Sequence, residues 1–445
     1  MEELFRPQGE GDVLRVRWEG EFLEVVFTAR AAFSKRSWPY FLGVVIPWLL
    51  LQGQRCVTRL HAFAGHVRSL SGYYRFLSDG KVRTELLSKL LFELIVRTFH
   101  PSAVEVVVDD TLCPKWGRQI FGAGRFFDHT SRPRPGFLWG HNWVVLALVV
   151  EVWGIPVALP FFLRLYRSEE TCRPKEFRTR HDLVLEGLQT LKEWTQLPIS
   201  LVGDGAYFNS SLIRPLRKMG IPLCGRLRRD AILRADPAPI HPHRRGRHPK
   251  YGHRLPSLPA MARSGGRWEI VRAHIYRKEV TLRVETIDAW WPTCGEKIRL
   301  VIVRSVHGRK RVTFLATTDL TRCAKEIIEW FARRWTIEQL FSDVKLHLGL
   351  DSAEVRKPRS VFRHALFTFA CATWIHVWRY RRDLKLSHRQ HQAPHHAPCS
   401  LRAKLRELRG VFIDQVLFCK RLRATRSRRN ASPVADLFAH ALTAA

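Results

Sequence analysis

Three carboxylates in this 445-residue chain have settings suited to holding hard divalent cations. Asp109 closes the β-branched run VEVVVDD, Asp204 follows PISLVG, and Glu338 lies in RRWTIEQLFSDVK, whose apolar spacing is helical. Cations such as Mg²⁺ prefer carboxylate oxygens. Two of them about 3.5–4 Å apart can activate a nucleophile and stabilise the leaving oxygen of a phosphodiester. Each carboxylate alone has a plainer reading, as a turn residue at a strand end or as a solvated ion-pair partner on a helix. The combination points to metal-assisted phosphoryl transfer. Asp110 is the alternative first carboxylate, because strand alternation turns only one of two neighbours inward.

These groups can converge only if strands carry two of them and a helix brings the third. The run at 104–110, the apolar segments 143–151 and 155–165, and PISLV read as strands; 181–194 reads as a helix. Strands alternating with helices imply an α/β core, begun by 101–220 and completed by helices at 319–382 that carry Glu338. Residues 1–30 read as a small strand pair around Gly20, and 38–99 as helices. The segment 1–100 is thus mainly helical, either a DNA-binding domain or a bundle packed on the core. Residues 221–318 read as a basic, β-rich insertion. Ten Lys and Arg from Arg226 to Arg263 face only Asp230 and Asp236, with Pro and His between them, so this part is expected to be a flexible loop. Residues 324–350 read as one long amphipathic helix, and VFRHALFTFACATWIHVWRYR as a buried one. A His/Pro/Gln linker at 383–400 leads into a basic helical tail, so 383–445 forms the last segment. The histidines of 241–253 and 388–396 are too irregularly spaced to predict a metal site.

Charge narrows the partner. Lys and Arg number 74 against 40 acidic residues, a formal net charge of +34. Such a charge opposes compaction unless a polyanion neutralises it, and phosphate contacts dominate nucleic-acid affinity. A membrane is the weaker candidate. The most apolar stretch, 143–165, contains Glu151, Gly154, Pro156 and Pro160, which suits buried strands. Residues 41–51 are too short to span, and MEELFRPQGEG does not read as a secretory leader. Nine scattered cysteines without a CxxC pair read as reduced thiols with no zinc site. The expected location is cytoplasmic, associated with the bacterial nucleoid.

Together these residues make the chain resemble the insertion-sequence transposases of the Asp-Asp-Glu type, which share a ribonuclease-H-like core. One branch carries Tyr-(2)-Arg-(3)-Glu-(6)-Lys on its last helix. Phe331, Arg334, Glu338 and Lys345 stand at those spacings, with phenylalanine in place of tyrosine. The offsets of four and seven put Arg334 and Lys345 on the same side of a helix as Glu338. The resemblance implies that Asp109, Asp204 and Glu338 are the catalytic metal ligands for two Mg²⁺ ions, with Mn²⁺ able to substitute. It makes Arg334 and Lys345 contacts to DNA phosphates. Asp109-Asp110-Thr111 is similar to the family's Asp-x-Thr/Ser pattern, which favours Asp109. CPKWGRQIFG is similar to its Lys-x-Gly-Lys segment, which adds Lys115 and Arg118 as phosphate contacts. His141 reads as structural. In relatives the insertion carries a tryptophan that stacks on a flipped base, and Trp290 and Trp291 are the candidates. The implied fold is α/β: a ribonuclease-H-like mixed sheet flanked by helices, with a β-rich insertion and an N-terminal helical domain. The implied function is cutting transposon ends and joining them to target DNA, as a homodimer on double-stranded DNA. Two other readings stay open: a non-catalytic DNA-binding protein derived from a transposase, and a nuclease that cuts without joining.

Overall fold

The computed structural model describes residues 21–63, 68–128, 136–239, 248–264, 266–306, 312–352, 354–390 and 400–412. Helices come first: α1 (Glu21–Phe27), α2 (Trp38–Leu50), α3 (Val57–Phe63), α4 (Leu70–Asp79) and α5 (Thr84–Phe99). The segment FLEVVF is therefore a helix and not half of a strand pair. Its buried residues are Phe22, Val25 and Val26, the three- and four-residue spacing of one helical face. The other half of the expected pair lies outside the described residues.

The strands then build one mixed sheet. β1 (Val104–Pro114), β2 (Gly124–Asp128), β3 (Gly136–Val152) and β4 (Ile155–Tyr166) are followed by α6 (Arg180–Trp194), β5 (Ile199–Val202), α7 (Ser210–Met219) and β6 (Leu223–Arg226). β4, β3 and β1 are antiparallel neighbours, and β5 and β6 continue the sheet parallel to β1. This is the expected mixed sheet flanked by helices. Every residue from Trp143 to Val150 is buried, as a strand covered on both faces requires. Trp153 and Gly154 both have positive φ and close the β3–β4 hairpin in two residues. Along β1 the side chains divide. Val107 and Cys113 enter the core shared with the last helices, while Val106 and Val108 enter the core shared with Leu188 of α6 and Leu212 of α7.

The segment expected as an insertion is joined to this sheet. After α8 (Leu258–Arg263) come β7 (Glu269–Ile275), β8 (Lys278–Trp291), β9 (Glu296–Ser305) and β10 (Thr313–Thr317). β10 pairs with β6, so the ladder runs without a break from the core to β7. Part of the basic loop, 240–247, lies outside the described residues. The expected single helix over 324–350 divides into α9 (Ala324–Arg333) and α10 (Trp335–Leu348), with Arg334 as the joint. Gly349, at φ +69°, ends α10 in the left-handed conformation glycine accommodates without strain. α11 (Pro358–Gln390) follows and takes in 383–390, the first part of the expected linker. Its Phe367, Trp374 and Trp378 share one core with Trp38, Phe41 and Trp48 of α2. Among the described residues no helix is long and apolar enough to cross a membrane.

Candidate active site

Parallel pairing brings the two aspartates together. Val107 of β1 stands opposite Val202 of β5, and Asp109 and Asp204 each lie two residues further along. Asp204 thus follows the C-terminal end of β5, where α/β folds place their ligands, while Asp109 lies just past the last residue of β1 paired with β5, within a strand that runs on to Pro114 against β3. Gly203 makes the close approach possible: a Cβ there would lie 2.7 Å from Tyr207 Cβ and 3.1 Å from Val108 Cγ1. Asp204 then folds back on its own turn. Its Oδ1 accepts from the amides of Ala206 (2.8 Å) and Tyr207 (3.3 Å).

The odd-numbered face of β1 meets the α9–α10 joint. Arg333 reaches Glu105 at 3.1 Å, and Arg334 reaches Asp109 Oδ2 at 3.3 Å. Arg334 also donates to Glu338 Oε1, one helical turn on, at 2.5 Å. One guanidinium thus bridges Asp109 and Glu338. Its side chain is 14% exposed, and it packs beside the Phe331 ring. Asp109 is itself mostly buried, with 18% of its side chain exposed. That burial, with Asp204 and Asp110 nearby, pushes its pKa up to about 7.

Asp110 faces the other way. It accepts from Asn142 Nδ2 at 2.9 Å and from the Tyr207 hydroxyl at 3.0 Å, and Arg180 lies 3.4 Å away. These donors were not visible in the residue pattern. Burial, with Asp110 and Asp109 close by, holds the Tyr207 hydroxyl well above its ordinary pKa, so it stays a donor.

Other residues expected at the site are placed differently. Lys345 Nζ donates to the Leu112 carbonyl at 2.6 Å, and Lys115 Nζ to the Asp351 carbonyl at 2.8 Å. These bonds clamp α10 and the turn after it onto β1; Lys115 is buried and Lys345 half-buried. Burial pushes the Lys115 pKa down. Arg118 is exposed in the turn after β1. His141 is buried against the Phe121 carbonyl (3.0 Å), and burial lowers its pKa to about 4, which keeps it neutral.

Trp290 and Trp291 part company because they alternate along β8. Trp291 is buried and stacks on Phe208 at 5.8 Å, so it is a core residue and not a base-stacking one. Trp290 is half-buried and donates from Nε1 to Asp236 at 2.9 Å. Trp291→Ala should cost about 3–5 kcal/mol of stability, measured by urea denaturation, with DNA affinity unchanged once the protein is folded. A loss of DNA affinity without loss of stability would contradict the core placement.

Asp109, Asp204 and Glu338 offer only oxygen donors, which suits Mg²⁺ and excludes a thiolate-type site. As the side chains lie, no three His, Cys, Asp or Glu among the described residues are grouped closely enough to share an ion. Arg334 supplies the positive charge between two of them instead.

Residues 30–286, more than half of the chain, match the family model described as "DDE superfamily endonuclease". Residues 289–384 match the model described as "Archaeal putative transposase ISC1217". No curated protein sequence matches the chain. Among solved structures it is similar to piggyBac transposase in a synaptic complex with hairpin DNA, at 11% identity and a TM-score of 0.44, over 92% of this chain and 79% of that one.

Proposed function

Because the chain belongs to the DDE superfamily endonucleases, we propose that it is a transposase that cuts and joins DNA ends using Asp109, Asp204 and Glu338. One observation carries this reading. Asp109 and Asp204 each stand two residues past the last paired residues of adjacent parallel strands, and Glu338 is tied to Asp109 through a single, largely buried guanidinium. Carboxylates so placed repel one another and favour positive charge between them. Asp109, Asp204 and Glu338 would hold two Mg²⁺ ions, for which Mn²⁺ can substitute.

Divalent ions held there supply nucleophile activation and neutralise charge on the scissile phosphate and leaving oxygen. The chain's own residues set the conditions. Asp109, whose pKa stands at about 7 even with Arg334 beside it, is partly protonated near neutral pH and would release that proton as divalent ions bind. Asp204 commits one oxygen to the turn amides, which orients the other. Glu338, in the first turn of α10, is more exposed than Asp109. Arg334, once its carboxylates are otherwise neutralised, has a guanidinium fork matched to a phosphate. The N-terminal helices and the basic loop add backbone contacts, and a homodimer holds the two ends that joining requires.

The test uses the purified chain, Mg²⁺, and duplex DNA carrying the terminal sequences of the element that encodes it. Strand cleavage and joined products should both appear, and EDTA should remove both. Binding without cutting would favour the non-catalytic reading, and cutting without joining would favour a nuclease.

A further inference from the structure

One face of the β2–β3 ribbon is aromatic and open to solvent. Arg125 pairs with Trp139 and Phe127 with Phe137 in antiparallel register, so these four side chains project from the same side. The opposite side buries Phe126. On the open side Phe137 is 61% exposed and Trp139 38%. Just past β1, Trp116 is 95% exposed.

The segment around Trp116 is anchored on both sides. The Lys115 amide donates to the Trp139 carbonyl at 2.9 Å, and Lys115 Nζ to the Asp351 carbonyl at 2.8 Å. Trp139 Nε1 donates to the Gly117 carbonyl at 3.3 Å, which lays the turn over the aromatic face. An indole so exposed on an anchored turn presents a flat surface that has already lost most of its backbone freedom. Cations accompany it. The Arg125 guanidinium sits 4.2 Å over the Phe137 ring, and Arg118 is exposed in the same turn. Pro114 is five residues beyond Asp109 on β1, so the patch begins about 17 Å along β1 from Asp109.

Aromatic faces beside guanidinium groups suit nucleotide bases and their backbone, because every base has a π-face and every linkage a negative charge. A paired duplex offers such faces only where bases are unstacked. We propose that Trp116, with Phe137, Trp139 and Arg125, forms a stacking site for unpaired bases of a DNA strand leaving the carboxylate site. The proposal rests on the DNA-processing reading above and specifies where the separated strand goes.

Fluorescence anisotropy with the full chain compares a labelled blunt duplex with the same duplex bearing a short single-stranded tail. The wild type should prefer the tailed probe by about five- to fifty-fold. Trp116→Ala should lose that preference and bind the blunt probe as the wild type does, while Trp116→Phe should keep most of it. Equal tail preference in the wild type and Trp116→Ala, or none in either, would overturn the stacking site while blunt-duplex binding left the DNA reading standing. A change in sedimentation of Trp116→Ala without DNA, with tail preference intact, would assign the patch to a protein interface and overturn the proposal. Failure of the wild type to bind either probe would remove both readings.

Discussion

Asp109→Asn should abolish DNA cleavage and yet stabilise the metal-free protein at pH 8, while Asp110→Asn should do nearly the reverse. The first half follows from where the two charges sit. Holding divalent ions contributes several kcal/mol of transition-state stabilisation, so losing one ligand charge should cost about 10³-fold or more in rate. The second half follows from burial. Below pH 3.8 the Asp109 carboxyl is protonated in both the folded and the unfolded chain. Between 3.8 and about 7 the folded protein keeps a proton that the unfolded chain has released, so stability falls as pH rises through that window and stays low above it. The difference corresponds to about 4 kcal/mol at most. An amide cannot ionise and escapes that loss, but it also gives up the charged contact with Arg334. A net gain of about 1–3 kcal/mol is expected at pH 8 and none at pH 3.5, read by urea denaturation in EDTA. Asp110, in contrast, accepts two side-chain hydrogen bonds and has the Arg180 guanidinium beside it. Replacing it by Asn should cost about 1–3 kcal/mol of stability and leave cleavage within about tenfold of wild type. Cleavage lost in Asp110→Asn and kept in Asp109→Asn would exchange the two roles.

Removing the bridging guanidinium should have the second large effect. Arg334→Ala leaves Asp109 and Glu338 without their shared cation in a largely buried setting. Breaking a buried pair from one side costs about 3–5 kcal/mol. Glu338 is a third exposed, and solvent there screens part of the loss, so about 2–3 kcal/mol is expected in EDTA at pH 8. Mg²⁺ should recover more stability in the variant than in the wild type, because a ligand that binds only the folded state stabilises it, by about 2.7 kcal/mol at a hundred times its Kd. Thermal midpoints with and without Mg²⁺ measure this directly. Equal Mg²⁺ responses in the two proteins would show that Arg334 does not occupy a cation position.

Local pattern revealed much of the frame and little of the wiring. The β3–β4 hairpin was readable because an unbroken apolar run meets Trp153-Gly154. Glu338 was readable because helical spacing surrounds it. The partners of Asp110 were not readable: Asn142 is 32 residues away and Tyr207 is 97, and only sheet register and the turn after Asp204 bring them in. Lys115 and Lys345 look like phosphate contacts in any basic chain. Their bonds to backbone carbonyls depend on how α10 lies along β1. The break between α9 and α10 has no proline or glycine to mark it. Trp291 could have been separated from Trp290 beforehand, since alternation with buried Ala289 places it inward. FLEVVF shows the converse difficulty, a β-favouring composition whose apolar positions nonetheless fit one face of a short helix.

The most direct measurement is single-turnover cleavage of end-bearing DNA in Mg²⁺ by the wild type, Asp109→Asn, Asp204→Asn and Glu338→Gln, with DNA affinity measured alongside. The carboxylate triad predicts that all three variants bind the DNA as the wild type does and cut it at least about 10³-fold more slowly. Cleavage at the wild-type rate by any one of them would contradict it.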